Sequence, residues 1–308
     1  MKEEMDAKEL NALISLLDDP DESVYDLVRT RLVSLGPEVI PNLENVWELQ
    51  SFGLDHRNRI EDLIHMIQFD AVRDALEKWA RDGAEDLFEG ALLIAKYQYP
   101  DLDEDESHRL LNKLHQDIWL ELNDELTAFE KVKVFNHILF HEYGYRGNRK
   151  NYQAAQNSYI NRVLESKKGN DLSLGIIYIV LAQRLNVPIY GVDLPHHFIL
   201  VYLDENDTAR YLEPSGAPTE EMRSLFFLNP FNQGSLMNAE EISSFLNQLA
   251  IEPESKHFEP CDHLTIVLRL LDNLVNAYER LGYPEKSREL NVLKSAVRKG
   301  GASTAEDA

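Results

Sequence analysis

Residues 157 to 203 read NSYINRVLESKKGNDLSLGIIYIVLAQRLNVPIYGVDLPHHFILVYL, and the fold turns on how this stretch is parsed. A short helix stops at a glycine break, Gly169, and a second helix covers Leu172 to Leu185. Within that second helix only Ser173, Gln183 and Arg184 are strongly polar, so the pattern predicts a helix buried on most faces. Asn186 and Pro188 end it, because proline cannot continue a helix and restricts the residue before it. Two runs rich in β-branched and aromatic residues follow, Pro188 to Val192 and His197 to Leu203, with a turn at Asp193 to Pro195. The expectation is a buried helix feeding a pair of strands.

Upstream, the chain reads as helix after helix. Leu10, Leu13, Ile14 and Leu17 give one apolar face, and Val24, Leu27, Val28, Leu32 and Leu35 give a second. Asp21 or Ser23 caps the second helix, Gly36-Pro37 breaks it, and Val39, Ile40, Leu43 and Trp47 begin a third. This pattern resembles a HEAT-type repeat, one unit of which cannot bury its own face. Helical stretches follow near 55–68, 69–81, 85–97 and 104–142, the last split around Asn123 to Thr127. Periodicity then vanishes in the polar loop Gly144 to Asn157. There Arg146, Arg149 and Lys150 make a basic island, read either as a solvated loop or as a pocket rim that holds a carboxylate or phosphate.

Downstream of the strand pair, Arg210 to Glu213 and Leu225 to Asn229 are further strand candidates, and NPFNQG (229–234) is turn chemistry. Ala239 to Leu249 is an amphipathic helix. Leu264 to Leu281 and Glu285 to Val297 form a helical hairpin joined at Gly282-Tyr283-Pro284, and its sequence resembles a tetratricopeptide unit. The tail after Lys299 is expected to be disordered.

The bulk composition excludes several classes of function. With 54 acidic against 31 basic residues, the net charge of -23 disfavours a nucleic-acid partner, whose phosphates demand lysine and arginine. One cysteine excludes an intramolecular disulfide and any multi-cysteine zinc site. The longest apolar run, Leu174 to Ala182, is far shorter than the ~20 residues needed to span a bilayer, and the acidic start lacks the layout of a signal peptide. A cytoplasmic protein is expected.

Among candidate sites, His137 and His141 have the i, i+4 spacing of zinc-binding helices, but Ile138 stands where H-E-x-x-H has its glutamate, so no metal is expected. Cys261 opens the last hairpin beside His263 with no identifiable third group. Ser173 with His197 is the stronger pair. A group at a helix start feels the positive end of the helix dipole, and a histidine on a neighbouring strand is a general base if a third side chain orients it. Glu213 and Asn229 are the two candidates for that third role. The plainer reading makes Ser173 an N-cap and His197 a satisfied strand residue.

GALLIAKYQYPDLD (90–103), the stretch from Tyr143 to Leu203, NPFNQG and the final hairpin occur in the order found in the SirB family, which the chain resembles from roughly residue 10 to 298. This is a group of bacterial proteins with a transglutaminase-like domain and tetratricopeptide-like helices. The resemblance implies a papain/transglutaminase-like core, and a Cys–His–Asp constellation in the superfamily's active members. Carried over by position, the histidine falls on His197 and the third member on Asn229. The cysteine's place is taken by Ser173 or a near neighbour, with Asp171 or Leu172 the next positions to try.

The fold class expected is therefore mostly helical α+β. A helical region (1–142), HEAT-like at its start, precedes a transglutaminase-like core (143–250), a tetratricopeptide-like hairpin (251–299) and a tail (300–308). The function expected is non-catalytic binding or regulation with a protein or peptide partner, without cofactor, metal, nucleic acid or membrane. The alternative is an amide-bond hydrolase or acyl transferase using Ser173, His197 and Asn229 or Glu213. Arg146, Arg149, Asn157 and His196 are placed at the pocket rim. The charge balance carries a first prediction. A gel shift with duplex DNA at micromolar protein should show no retardation, and a salt-dependent shift lost in Arg146→Ala with Arg149→Ala would overturn it.

Overall fold

The computed structural model describes residues 7–19, 21–48, 54–203 and 224–307. Among them the chain is mostly helical with one small antiparallel sheet, an α+β arrangement. It divides into two units, the first ending at Ala75 and the second beginning at Leu76.

The first unit contains α1 (Ala7–Ser15), α2 (Glu22–Leu35), α3 (Ile40–Glu48) and most of α4 (Leu54–Arg81). Asp21 caps α2, its carboxylate accepting from Ser23 N at 2.9 Å, and Gly36 at φ 80° lets the chain leave the helix. The apolar faces read from the sequence meet in one core of Ile14, Leu17, Val28, Leu32, Val39, Leu43, Ile60, Leu63 and Ile67. The two helices expected over 55–68 and 69–81 are one, because Gln68-Phe69-Asp70 contains no residue that stops a helix.

The second unit is built round α9 (Asp171–Arg184), whose residues from Asp171 to Ala182 are all buried. Asn170 and Ser173 start it with a reciprocal cap: Asn170 Oδ1 accepts from Ser173 N at 2.8 Å, and Ser173 Oγ accepts from Asn170 N at 3.1 Å. Asn186, in the left-handed region at φ 55°, turns the chain out of the helix and into the sheet. Around α9 pack α5 (Leu87–Gln98), α6 (Glu104–Glu121), α8 (Ile160–Ser166) and α11 (His263–Leu281). A further helix, α7 (Ala128–Asn136), runs on into a π-helical turn over His137–Glu142.

The sheet is an antiparallel meander, β3 (Ile189–Leu194), β4 (His197–Leu203), β5 (Ser224–Asn229) and β6 (Ser235–Met237). Leu194 pairs with His197, so a two-residue turn, Pro195-His196, closes the first hairpin. Its second residue, His196, has φ 60°. His196 therefore lies in the turn, not on a strand face beside His197. The sheet is covered on both sides, by α9 and by α10 (Ala239–Gln248), so its strands read as continuous apolar runs. Tyr190, Val192, Ile199, Val201, Phe227, Ile242 and Leu246 fill the layer under α10. On the α9 side the Phe198 ring lies where a Cβ on Gly175 or Gly191 would be, 2.8 Å and 2.4 Å from its atoms.

Three features depart from the sequence reading. A two-residue parallel ladder joins β1 (Arg146–Gly147) to β2 (Lys168–Gly169), neither of which is among the strand candidates. Two residues are too few to produce any periodicity. β6 likewise lies beyond the last strand candidate, Leu225 to Asn229. Finally α12 (Pro284–Asp307) continues through the expected disordered tail. It can do so because Gly300 and Gly301 bring its backbone against neighbouring helices: a Cβ on Gly300 would lie 2.3 Å from Glu77 O, and one on Gly301 2.8 Å from Leu264. The strand candidate Arg210 to Glu213 lies outside the described residues.

The packing of Phe198 sets a test. Its ring is fully buried, and a Cβ on Gly191 would also lie 3.2 Å from Ile266 Cδ1, so the added methyl is crowded from two sides. Gly191→Ala is expected to destabilise by about 1–3 kcal/mol, as overpacked cores do, read as a lower Tm with no change in far-UV circular dichroism. An unchanged Tm would mean the ring is mobile.

Candidate functional site

The first turn of α9 points its N-terminus at the start of β4, and the residue that meets the sheet there is Asp171. Its Oδ2 accepts from His197 Nδ1 at 2.8 Å and from Phe198 N at 2.7 Å. Its Oδ1 accepts from Tyr152 OH at 2.9 Å and from Leu172 N at 3.0 Å. Four donors thus fill the carboxylate, whose side chain is 3% exposed against 20% for His197. Burial on its own pushes the Asp171 carboxyl up. The hydrogen bond and charge of His197, with the Phe198 amide and the Tyr152 hydroxyl, outweigh it and hold the carboxyl below its ordinary value. Burial, then the nearby Asp171 charge, pushes the Tyr152 phenol up, so it stays protonated and donates.

His197 is bound through Nδ1, and Nε2 has no hydrogen-bond partner among the described residues. The Phe245 ring of α10 lies 6.0 Å from the imidazole. Arg269 of α11 holds the hairpin turn beside it, donating to Leu194 O at 2.6 Å and pairing with Asp193. An aspartate that fixes a histidine by Nδ1 and leaves Nε2 outward is the orienting half of a general-base arrangement.

The structure distributes the expected residues differently. Ser173 is fully buried, and its hydroxyl is spent inside the cap, accepting from Asn170 N and donating to Asn170 O at 3.4 Å. It is the third helical residue, and Asn170 is the N-cap in its place. Asn229 does not hold His197: its Oδ1 accepts from Asn232 N at 3.1 Å and closes the NPFNQG turn. That turn is anchored by Asn136, whose amide donates to Gly234 O at 2.9 Å. Glu213 lies outside the described residues. Asn157 is buried and braces the polar loop, donating to Asn151 O and Tyr152 O at 2.6 Å and 2.8 Å, so it is not on a rim. Arg146 and Arg149 do line a cavity, and His196 does not.

Asp171 entered the sequence reading only as a neighbouring register, and Tyr152 and Arg269 not at all. A buried acid directly after a helix cap is the one signal that pointed to the first. Burial, followed by the charges of Asp193 and Asp262, pushes the Cys261 thiol up, and its backbone bridges to Gly191 O at 2.8 Å. Among the described residues no three His, Cys, Asp or Glu side chains converge on a point that could hold a metal ion. The rings of His137 and His141 are 6.1 Å apart. No helix among the described residues is long and apolar enough to cross a membrane.

A family model described as "Transglutaminase-like superfamily" matches residues 105–272, more than half of the chain. The chain belongs to the transglutaminase-like superfamily. The matched segment holds both halves of the site, Asp171 and His197. The chain is 34% identical over 196 residues to a "UPF0162 protein" of Xylella fastidiosa, covering 62% of this chain and 64% of that one. It thus spans a little under two thirds of that relative's length. It is 29% identical to a "UPF0162 protein" of Vibrio cholerae over 64% of this chain and 68% of the relative. A shorter similarity, 26% identity over 38% of this chain and 17% of the relative, joins it to human "F-box only protein 21". No solved structure matches.

The Asp171–His197 pair carries a pH signature. The folded Asp171 carboxyl lies below the unfolded aspartate value of about 3.9. Its contribution to stability is therefore full above that value and is lost as the pH falls through the lower, folded one. Asp171→Asn cannot titrate. The Tm gap between wild type and Asp171→Asn should be constant from neutrality down to about pH 5 and narrow below it, as the unfolded and then the folded carboxyl take up protons. A gap independent of pH would mean the buried carboxyl is not ionised. Asp171→Ala should cost more than Asp171→Asn, by about 3–5 kcal/mol in all, because it strands the buried donors of Phe198 and His197.

Proposed function

We propose that this chain is a non-catalytic member of the transglutaminase-like superfamily, acting in binding or regulation with a protein or peptide partner. The observation that supports this is the 2.8 Å contact between Asp171 and His197. By the likeness to the SirB family, active members present a cysteine thiol to the histidine from the start of the core helix. Here the group facing the imidazole from that helix is a carboxylate. Its lone pairs are occupied by four donors, so it orients and does not attack. The one hydroxyl of the same turn, Ser173, is turned away into the cap. A transglutaminase-like acyl transfer lacks its nucleophile.

A second reading rests on a different observation, the outward Nε2 of His197. Held by Asp171, this imidazole is placed to take a proton from a water or from a hydroxyl that a substrate brings, which is hydrolysis of an amide or ester without a covalent intermediate.

The two are separated by assaying the wild-type chain, and Asp171→Cys in a Cys261→Ser background tests whether this position presents a thiol to His197. A thiol at the first position of α9 gains from the helix dipole and from the imidazole, both of which favour thiolate over the ~8.5 of free cysteine. The introduced thiol is expected to alkylate quickly near pH 6, and His197→Ala to slow it sharply. The wild-type chain should be unlabelled by serine-directed acylating probes and silent on amide and ester substrates. Turnover by the wild type that vanishes in His197→Ala would replace the lead reading with the hydrolase.

A further inference from the structure

A cavity of about 530 Å³ opens beside the site, lined by Arg146, Gly147, Asn148, Arg149, Lys150, Lys168, Phe231 and Gln233. Its cations come from two segments that are distant in sequence. Arg146, Arg149 and Lys150 belong to the polar loop, and Lys168 is brought in by the parallel ladder, where it is the direct partner of Arg146. The apolar wall, Phe231, comes from the NPFNQG turn.

Three observations make this more than a solvated loop. First, the loop is built. Asn148 N donates to Gly169 O at 2.8 Å, and Asn148 Nδ2 donates to Asn157 Oδ1 at 2.9 Å. Arg149 is fixed by a hydrogen bond to Asn232 Oδ1 at 3.2 Å. Second, Phe231 is locked in place. Tyr152 meets its ring edge-on at 5.3 Å, and a Cβ on Gly147 would lie 2.5 Å from it. Third, the charge is unspent. Several cations elsewhere are taken up by nearby carboxylates, as in Arg59 with Glu22, Lys96 with Glu104 and Lys299 with Glu77. None of the four cations lining the cavity is ion-paired with a carboxylate among the described residues. In a chain of net charge -23, four such cations round one cavity concentrate a positive potential where the whole molecule is negative.

We propose that this cavity binds a small multiply charged anion bearing phosphate or carboxylate groups. Its volume lies within the range of small-ligand sites, about 300–1,000 Å³, and is too confined for the spaced phosphates of a duplex. Two guanidinium forks supply directional contacts to planar or tetrahedral oxyanions, and two ammonium groups supply charge. The occupant would touch Phe231, one ring from the Tyr152 hydroxyl that holds Asp171. The site does not depend on whether Asp171 and His197 are catalytic, and its test is read separately from theirs.

The experiment is calorimetric titration of the full chain with pyrophosphate and with citrate, at fixed ionic strength against sodium chloride. At least one of the two is expected to bind in the micromolar range. Arg149→Ala and Lys168→Ala should each weaken it about tenfold, since each removes a charge-assisted contact. Lys150→Glu with Lys168→Glu should abolish it. Arg288→Ala, on an exposed cation near the start of α12, should leave it unchanged. Tm values show which variants remain folded, and Lys150→Gln, on an exposed side chain, serves if Arg149→Ala does not. Binding of pyrophosphate alone assigns a phosphate ligand, binding of citrate alone a carboxylate, and either supports the site. The proposal is overturned if neither anion binds above the chloride blank, or if Arg288→Ala weakens binding as much as Lys168→Ala. It also fails if only a glutamate-rich peptide or a DNA duplex binds.

Discussion

Everything in the second unit that concerns function converges on one buried carboxylate. Asp171 accepts from the polar loop through Tyr152, from its own helix through Leu172, and from the sheet through His197 and Phe198. A charge in that position is costly to bury and remains only because every lone pair is met. The same four bonds fix the height of α9 on the sheet, the rotamer of the imidazole and the floor of the loop. Structure and chemistry here are one arrangement.

The carboxylate sits where it does because the layers behind it leave no slack. Phe198, next to His197, fills the gap that two glycines open between α9 and β3. The hairpin turn is held from outside by Arg269. The site is thus a by-product of tight helix-on-sheet packing, set where the first turn of α9 meets the start of β4.

Much of this was legible in the sequence. The buried helix, the strand pair, the turn chemistry of NPFNQG and the closing hairpin all followed from periodicity, because burial on both sides of α9 writes itself as an unbroken apolar run. The partner of His197 did not follow. Periodicity reports which face is buried and is silent on which of two neighbouring polar residues at a helix start turns toward the sheet. Asp171 and Ser173 are two residues apart, and a reciprocal cap with Asn170 claimed the serine. The β1–β2 ladder and the lysine it delivers were invisible for a related reason: a two-residue pairing leaves no pattern. The helical continuation through Gly300 and Gly301 was hidden because glycine reads as a helix breaker unless a neighbouring backbone requires its missing side chain.

The helix hairpin at the end of the second unit has a bearing on how the chain is made. α9 is apolar on all sides, yet one of its covers is α11, and the 80 residues from Gln183 to His263 separate the partners of a side-chain bridge between them. Tyr97 and Glu289, which join α5 to α12, are 192 residues apart. At about 5–20 residues per second, synthesis leaves α9 incompletely covered for roughly 4–16 seconds after it has emerged. During that interval the nascent chain presents its most hydrophobic segment to the cell, and α11 and α12 act as the closure that ends the exposure. Folding of this unit is therefore tied to the synthesis of α11 and α12, whose long-range contacts can form only once those helices have emerged.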